Sequence, residues 1–210
     1  MEKDNFTYNK SIGIDLGIKK YAQLSDGTEY HLPRSISVLE KRKRKQQSRL
    51  DNMRKRRLIT AKRTKTKFEE IPFTKNEAKL RNLNRKTFIR LINIKTSYIH
   101  QITTEIANLY PHRIVLEDLN ITDMVHQLSN RDDIFHSLWY KFREILTYKA
   151  YNRGIDIVLA DRNFASSQIC STCGNVRKQS NRNRMYICHK CGTRIDRDLN
   201  AAINLSRYNA

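Results

Sequence analysis

The sequence predicts an α/β protein, a mixed sheet with helices packed on it, carrying a small cysteine-bound module. Strand-length apolar segments alternate with long amphipathic helical ones after an opening meander of three short strands. Six Gly and three Pro punctuate 210 residues, which favours long regular elements. All four cysteines fall near the C-terminus, as two Cys-x-x-Cys pairs.

Residues 11–17, 21–24 and 29–32 read as strands, the last two joined by Asp26-Gly27 as a two-residue hairpin turn. Residues 35–57 read as a basic helix, and 60–75, with Pro72, as a loop. A second helix follows, with Leu80, Leu83, Phe88, Leu91, Ile92, Ile99, Ile102, Ile106 and Leu109 at three- and four-residue steps until Pro111 ends it. The two helices are expected to form an antiparallel hairpin. Residues 112–117 give a short buried strand ending in Glu117. Residues 132–153 read as a helix with Phe135, Leu138, Phe142, Ile145 and Leu146 on one stripe and Gly154 as its cap. Residues 155–160 return to strand, and 197–208 form a closing helix. No internal repeat or low-complexity linker interrupts the chain.

Charge points to the partner. Forty-one Lys and Arg against 21 Asp and Glu give a formal +20, with a pI near 10, and nucleic acid is the expected ligand. Residues 41–67 hold fourteen bases and one acid, Asp51. Lys41, Arg42, Lys43, Arg44, Lys45, Arg49, Arg54 and Arg57 are the candidate phosphate contacts, because so dense a run repels itself unless a polyanion neutralises it. A membrane surface fits less well, since Trp139 is the sole Trp and the tract has no amphipathic aromatic face. The N-terminus has no apolar signal core and no apolar run spans a bilayer, so a cytoplasmic location is expected.

Cys170-Ser-Thr-Cys173 and Cys188-His-Lys-Cys191 are separated by fourteen residues, the spacing of a zinc ribbon. Each turn aims two thiolates at one centre, and four complete the closed tetrahedral shell of a structural Zn²⁺. Gly174 and Gly192 follow the pairs where a left-handed turn is needed. Residues 174–187 are polar enough that they are expected to fold only with the metal or a partner. Disulfides or a redox pair are the competing readings, and His189 is the competing ligand.

Strand alternation puts Ile12, Ile14 and Leu16 on one face and Gly13, Asp15 and Gly17 on the other. Glu117 shares a face with Val115, and an unpaired carboxylate in so apolar a strand is costly. Asp198 shares a helical face with Ala201, Ala202 and Leu205. Asp15, Glu117 and Asp198 therefore make a metal-site candidate. Phosphodiester hydrolysis needs an activated water and stabilised charge on phosphorus and leaving oxygen, which two Mg²⁺ ions on hard oxygen ligands supply. In that arrangement Asp15 bridges both ions while Glu117 and Asp198 each complete one. Asp118 is the alternative to Glu117. Asp196 is the alternative to Asp198, although its place before the closing helix suits an N-cap.

Gly13-Ile-Asp15-Leu-Gly17, Val115-Leu-Glu117-Asp-Leu-Asn120, the paired cysteines and Asp196-Arg-Asp198-Leu-Asn200-Ala-Ala-Ile-Asn204 together resemble, in this order, the TnpB family. Those insertion-sequence proteins, long labelled transposases, are related to type V CRISPR effectors. Ser166-Ser-Gln-Ile-Cys170 resembles the family's approach to the first cysteine pair. The resemblance implies an RNase H-like (RuvC) mixed sheet with a basic helical hairpin insertion and an inserted four-cysteine zinc ribbon, cleaving DNA with a guide RNA. It implies Asp15, Glu117 and Asp198 as catalytic carboxylates, the second Asp of Asp-x-Asp-x-Asn being the family's ligand. The implied organisation is 1–34, first part of the nuclease domain; 35–110, helical hairpin; 111–165, second part; 166–194, ribbon; and 195–210, closing helix. Only fourteen residues precede Asp15, so the chain is expected to lack most of the family's N-terminal region. A non-catalytic nucleic-acid-binding module or decayed remnant, and a strand-transferring transposase, are the other readings.

Overall fold

The computed structural model describes residues 10–17, 19–118, 139–178 and 183–209. The chain divides into two compact units, one made of Met1–Leu32 with Tyr98–Ala210, the other of Pro33–Ser97.

The first unit is built on a five-stranded sheet. Strands β1 (Ser11–Leu16), β2 (Ala22–Leu24) and β3 (Glu29–Tyr30) form the opening meander, and β4 (Arg113–Glu117) and β5 (Asp156–Ala160) complete the order β3-β2-β1-β4-β5. The meander pairs antiparallel, whereas β1, β4 and β5 run parallel, so the sheet is mixed as expected. The β2–β3 connection departs from the two-residue expectation. Leu24 N–H bonds to Thr28 O, and Gly27, at φ 97°, donates to Leu24 O, so Ser25, Asp26 and Gly27 make a three-residue loop with glycine in the left-handed position.

Alternation sorts the two faces. Ile12, Ile14, Ile114 and Leu116 face a core shared with Ile99, Ile102 and Ile106 of helix α2 (Lys75–Ala107) and Trp139, Phe142, Ile145 and Leu146 of helix α3 (Trp139–Tyr151). Lys149 of α3 reaches across this core to Thr103 Oγ1 (2.9 Å) and Thr104 Oγ1 (2.6 Å) of α2. The expected start of α3 from residue 132, with Phe135 and Leu138, lies outside the described residues. Gly154 ends it at φ 66°.

On the other face, Val115, Ala160 and Leu205 cluster beneath helix α4 (Arg197–Ser206). Gly13 makes this packing possible, for a Cβ built there would lie 2.0 Å from Ala202 O and 2.3 Å from Ser206 N. Strands β6 (Met185–Ile187) and β7 (Arg194–Asp196) pair antiparallel within the cysteine module, and β7 leads directly into α4.

The second unit holds helix α1 (Arg34–Thr64), a 3₁₀ turn at Phe68–Glu70 and the greater part of α2. α1 outlasts the expected end near Arg57. Thr60 and Thr64 keep their hydroxyls on the carbonyls of Arg56 and Thr60, and the helix stops only at Lys65, at φ 53°, whose N–H returns to Ala61 O. α2 begins on Thr74, whose Oγ1 accepts the Glu77 N–H at 3.1 Å. The helices run antiparallel, tied by Lys95 to Glu40 (2.6 Å), Asn84 to Gln47 (3.0 Å) and Arg57 to Glu77 (3.4 Å). Leu91 is fully buried, but Leu83 and Phe88 remain exposed despite their helical spacing, and Leu109 lies beyond the end of α2. Among the described residues no helix is long and apolar enough to cross a membrane.

Candidate active site and metal centre

The register of β1 and β4 pairs Ile14 with Leu116, so Asp15 and Glu117 follow side by side at the carboxyl ends of parallel strands. Both project to the α4 face, because they share sides with Gly13 and Val115. α4 brings Asp198 in its first turn. The three acids are near enough to feel one another: burial, then Glu117, then Asp198 push the Asp15 carboxyl well above the usual range, with Arg197 opposing them. Burial raises Glu117 as well, and Ser166, which donates its hydroxyl to Glu117 Oε1, acts against that. Asp198 is 8% exposed and is met by Arg184 and Arg197, each at 3.3 Å.

Asp196 is the N-cap of α4. Its Oδ1 accepts from Asp198 N at 3.0 Å and Leu199 N at 3.1 Å, and Lys20 lies 3.1 Å away. Burial would raise its pKa, yet the Leu199 N–H, Lys20 and the Asp198 N–H outweigh that and lower it. Asp118 turns to the other side and binds Arg143 (2.9 Å) and Arg162 (2.8 Å). Arg113, on the same strand as Glu117, donates to Ser11 and Asn209.

The four cysteine Sγ atoms lie within 4.8 Å of one another, the one group of metal-ligating side chains among the described residues gathered so closely. Cys170 and Cys191 are 3.6 Å apart, as are Cys173 and Cys188, too far for a disulfide and near the roughly 3.8 Å edge of a tetrahedron with 2.3 Å Zn–S bonds. Both turns repeat one pattern. Gly174 N–H bonds Cys170 O and Gly192 N–H bonds Cys188 O, with the glycines at φ 71° and 75°. Thr193 holds the Cys191 thiol down, to about 6, through its hydroxyl and then its N–H. This set fits a structural zinc.

The module also has an apolar anchor that its polar composition concealed. Tyr186 is fully buried against Cys170, Cys188 and Ile195, and its hydroxyl donates to Gln168 O at 3.2 Å. Asn200 and Asn204 then fasten the module to α4. Asn200 accepts Ser171 N–H (2.9 Å) and donates to Ile169 O (2.7 Å), while Asn204 donates to Ser166 O (2.8 Å) and Ile169 O (2.7 Å). One helix thus carries Asp198 and also fixes the loop that supplies Ser166. Ser166 and Arg184 were not singled out as site residues from the sequence; Ser166 comes from a segment remote in the chain from Glu117, whereas Arg184 reaches Asp198 across the β6–β7 hairpin.

In the helical unit, Lys41, Arg42, Arg44, Lys45, Arg49 and Arg54 are exposed, and Lys43 and Arg57 are partly buried. Lys43 sits over the Phe88 ring at 5.3 Å. Arg57 is committed within the unit: it pairs with Glu77, donates to Ile71 O at 2.6 Å and lies over the rings of Phe68 and Phe73.

A family model described as "Probable transposase", OrfB_IS605, matches residues 3–128, and the Cas12f1-like TNB domain model matches residues 139–205. A Streptomyces pristinaespiralis protein named "Putative RNA-guided DNA endonuclease" is 29% identical over 93% of this chain and 44% of its own length. "Putative RNA-guided DNA endonuclease InsQ" of Escherichia coli K12 is 26% identical over 92% and 48%, and "TnpB-like protein L79" of Acanthamoeba polyphaga mimivirus 24% over 93% and 36%. The chain therefore spans about half the length, or less, of these curated relatives. Its fold is similar to that in the cryo-EM structure of a Cas12f1–sgRNA–target DNA complex, with a TM-score of 0.56 at 18% identity over 98% of this chain and 51% of that one. A CRISPR–Cas12f ternary complex gives 0.57 at 19% identity over 94% and 38%.

Proposed function

The chain belongs to the OrfB_IS605 family, described as "Probable transposase", and from that premise we propose that it is a TnpB-like, RNA-guided DNA endonuclease with guide RNA and DNA as partners. The observation that carries this reading is the convergence of Asp15, Glu117 and Asp198 where the carboxyl ends of β1 and β4 meet the start of α4. Burial first, then the neighbouring Glu117 and Asp198 carboxylates, raise Asp15; an acidic site of this kind suits hard divalent cations, and the chemistry fits Mg²⁺. When bound, Mg²⁺ supplies water activation and charge stabilisation at phosphorus and the leaving oxygen.

The chain's own residues prepare that site. Asp15, Glu117 and Asp198 offer the oxygens. Ser166 fixes the Glu117 carboxylate, and Arg184 and Arg197 hold Asp198. Asp196 caps α4 and so steadies the turn that presents Asp198. Cys170, Cys173, Cys188 and Cys191 hold one structural Zn²⁺. The sheet and α4 are read as an RNase H-like nuclease domain of RuvC type, split into 1–34, 111–165 and 195–210, with the hairpin at 35–110 and the ribbon at 166–194 inserted. Lys41, Arg42, Lys43, Arg44, Lys45, Arg49 and Arg54 would meet phosphates along the hairpin, with Arg57 holding the fold behind them.

The test is cleavage of single-stranded DNA by the purified chain in Mg²⁺, with Asp15→Asn alongside and copurified RNA sequenced. Cutting lost in the variant, with DNA affinity retained, and a defined bound RNA are expected. Equal loss of binding and cutting removes Asp15 from the metal site, and binding without cutting in the unaltered chain favours a non-catalytic binding module.

A further inference from the structure

The helical unit contains an open cleft of about 830 Å³ between α1, the 3₁₀ turn and α2, a volume suited to a nucleotide-sized ligand. Its chemistry differs from that of the basic stripe. Phe73, 46% exposed, lies against two guanidinium groups, Arg57 at 4.1 Å and Arg81 at 4.0 Å, and Arg57 in turn lies against Phe68 at 4.6 Å. Arg57 is fixed at the back of this assembly by Glu77 and Ile71 O. Arg81 has no carboxylate partner among the described residues, and it is exposed at the cleft. Arg54 and Arg85 line the same cleft, also exposed and without an ion pair among the described residues.

We propose that this cleft takes a single unpaired nucleotide, its base stacking on the Phe73–Arg81 surface and its phosphate meeting Arg54 and Arg85. Flat guanidinium and aromatic groups recognise the face of a base, which is available only where the base is not enclosed in a helix. Uncompensated arginines beside them supply bidentate donors for the attached phosphate. A stripe of exposed bases on a helix, by contrast, contacts phosphates alone and does not distinguish a paired from an extruded nucleotide. Asp51, Glu69 and Glu77 at the cleft wall disfavour a purely phosphate-driven ligand and leave stacking to give the preference. The proposal rests on the reading of this chain as a nucleic-acid-binding protein and adds a subsite to it.

Fluorescence anisotropy of the full chain with three labelled duplexes tests it: one fully paired, one with a single adenine bulge, and one with an abasic site in the bulge. The adenine bulge is expected to bind about tenfold more tightly than the abasic one, the scale of one base stack. Arg81→Gln is expected to erase that difference, so that the adenine and abasic bulges bind alike. Equal affinity of the unaltered chain for both bulges overturns the cleft proposal and leaves the nucleic-acid reading standing. No binding to any of the three overturns both. A bulge preference that survives in Arg81→Gln and in Phe73→Leu also overturns it, because the base is then held elsewhere.

Discussion

The four thiols come from two tight turns that repeat the same Gly N–H to Cys O hydrogen bond, whereas the three acids stand at positions 15, 117 and 198 on β1, β4 and α4. Within each turn the chain itself sets the spacing of two ligands, and only the approach of one turn to the other is left to tertiary structure. The acids have no such local help. Their separation is the separation of strands in a sheet and of a helix upon it, so anything that shifts packing shifts them. A site assembled from turns fails when a ligand is lost; a site assembled from packed elements fails when a contact moves.

The largest expected effect is at the thiols. Cys173→Ser should release zinc, whose binding to structural sites contributes about 10–16 kcal/mol, and with it hydrogen-exchange protection at Tyr186 and Gly192. Protection in β1 and β4 should persist. Zinc content unchanged by metal analysis would reject the centre, and loss of protection throughout the sheet would show that the two sites are not separable.

Next comes the hydroxyl that holds one acid. Ser166→Ala leaves every proposed ligand in place yet should lower cleavage or Mg²⁺ affinity by roughly 10–100-fold, as loss of a ligand's supporting hydrogen bond does. Zinc content should not change. Full activity would mean that Glu117 is oriented by the strand alone.

The smallest effect is at the cap. Asp196→Ala should cost about 1 kcal/mol at pH 7, read by urea denaturation. The sign with pH follows from its lowered folded pKa: the charge-dependent stabilisation is complete above the unfolded carboxylate value and disappears as pH falls through the folded one. The gap between variant and unaltered chain should therefore narrow in acid. A gap that widens would contradict the cap.

The thiol spacing was legible in the sequence because it is local, and the faces of Asp15 and Glu117 because strands alternate. The packing partner of Gly13 was half legible: alternation put Gly13 on the Asp15 face, but did not say that α4 would pack there. What escaped depended on long-range contacts. Nothing near Ser166 in the sequence points to Glu117, and composition made Arg57 look like its exposed neighbours until the α1–α2 connection bearing Phe68 and Phe73 enclosed it. Tyr186 was hidden by the polar residues around it. The three-residue hairpin was misread because Asp-Gly also suits the tighter turn, and the pairing of Leu24 with Thr28 decides between them.

The missing side chain at Gly13 has a further consequence. Adding one methyl group there would meet the Ala202 and Ser206 backbone and displace the helix that carries Asp198, while leaving every acid and every cysteine in its place in the sequence. Such a copy would pass any inventory of ligands and still be inert. On the proposed nuclease reading, inactivation can thus be silent at the motif level, at a residue that has no functional group at all.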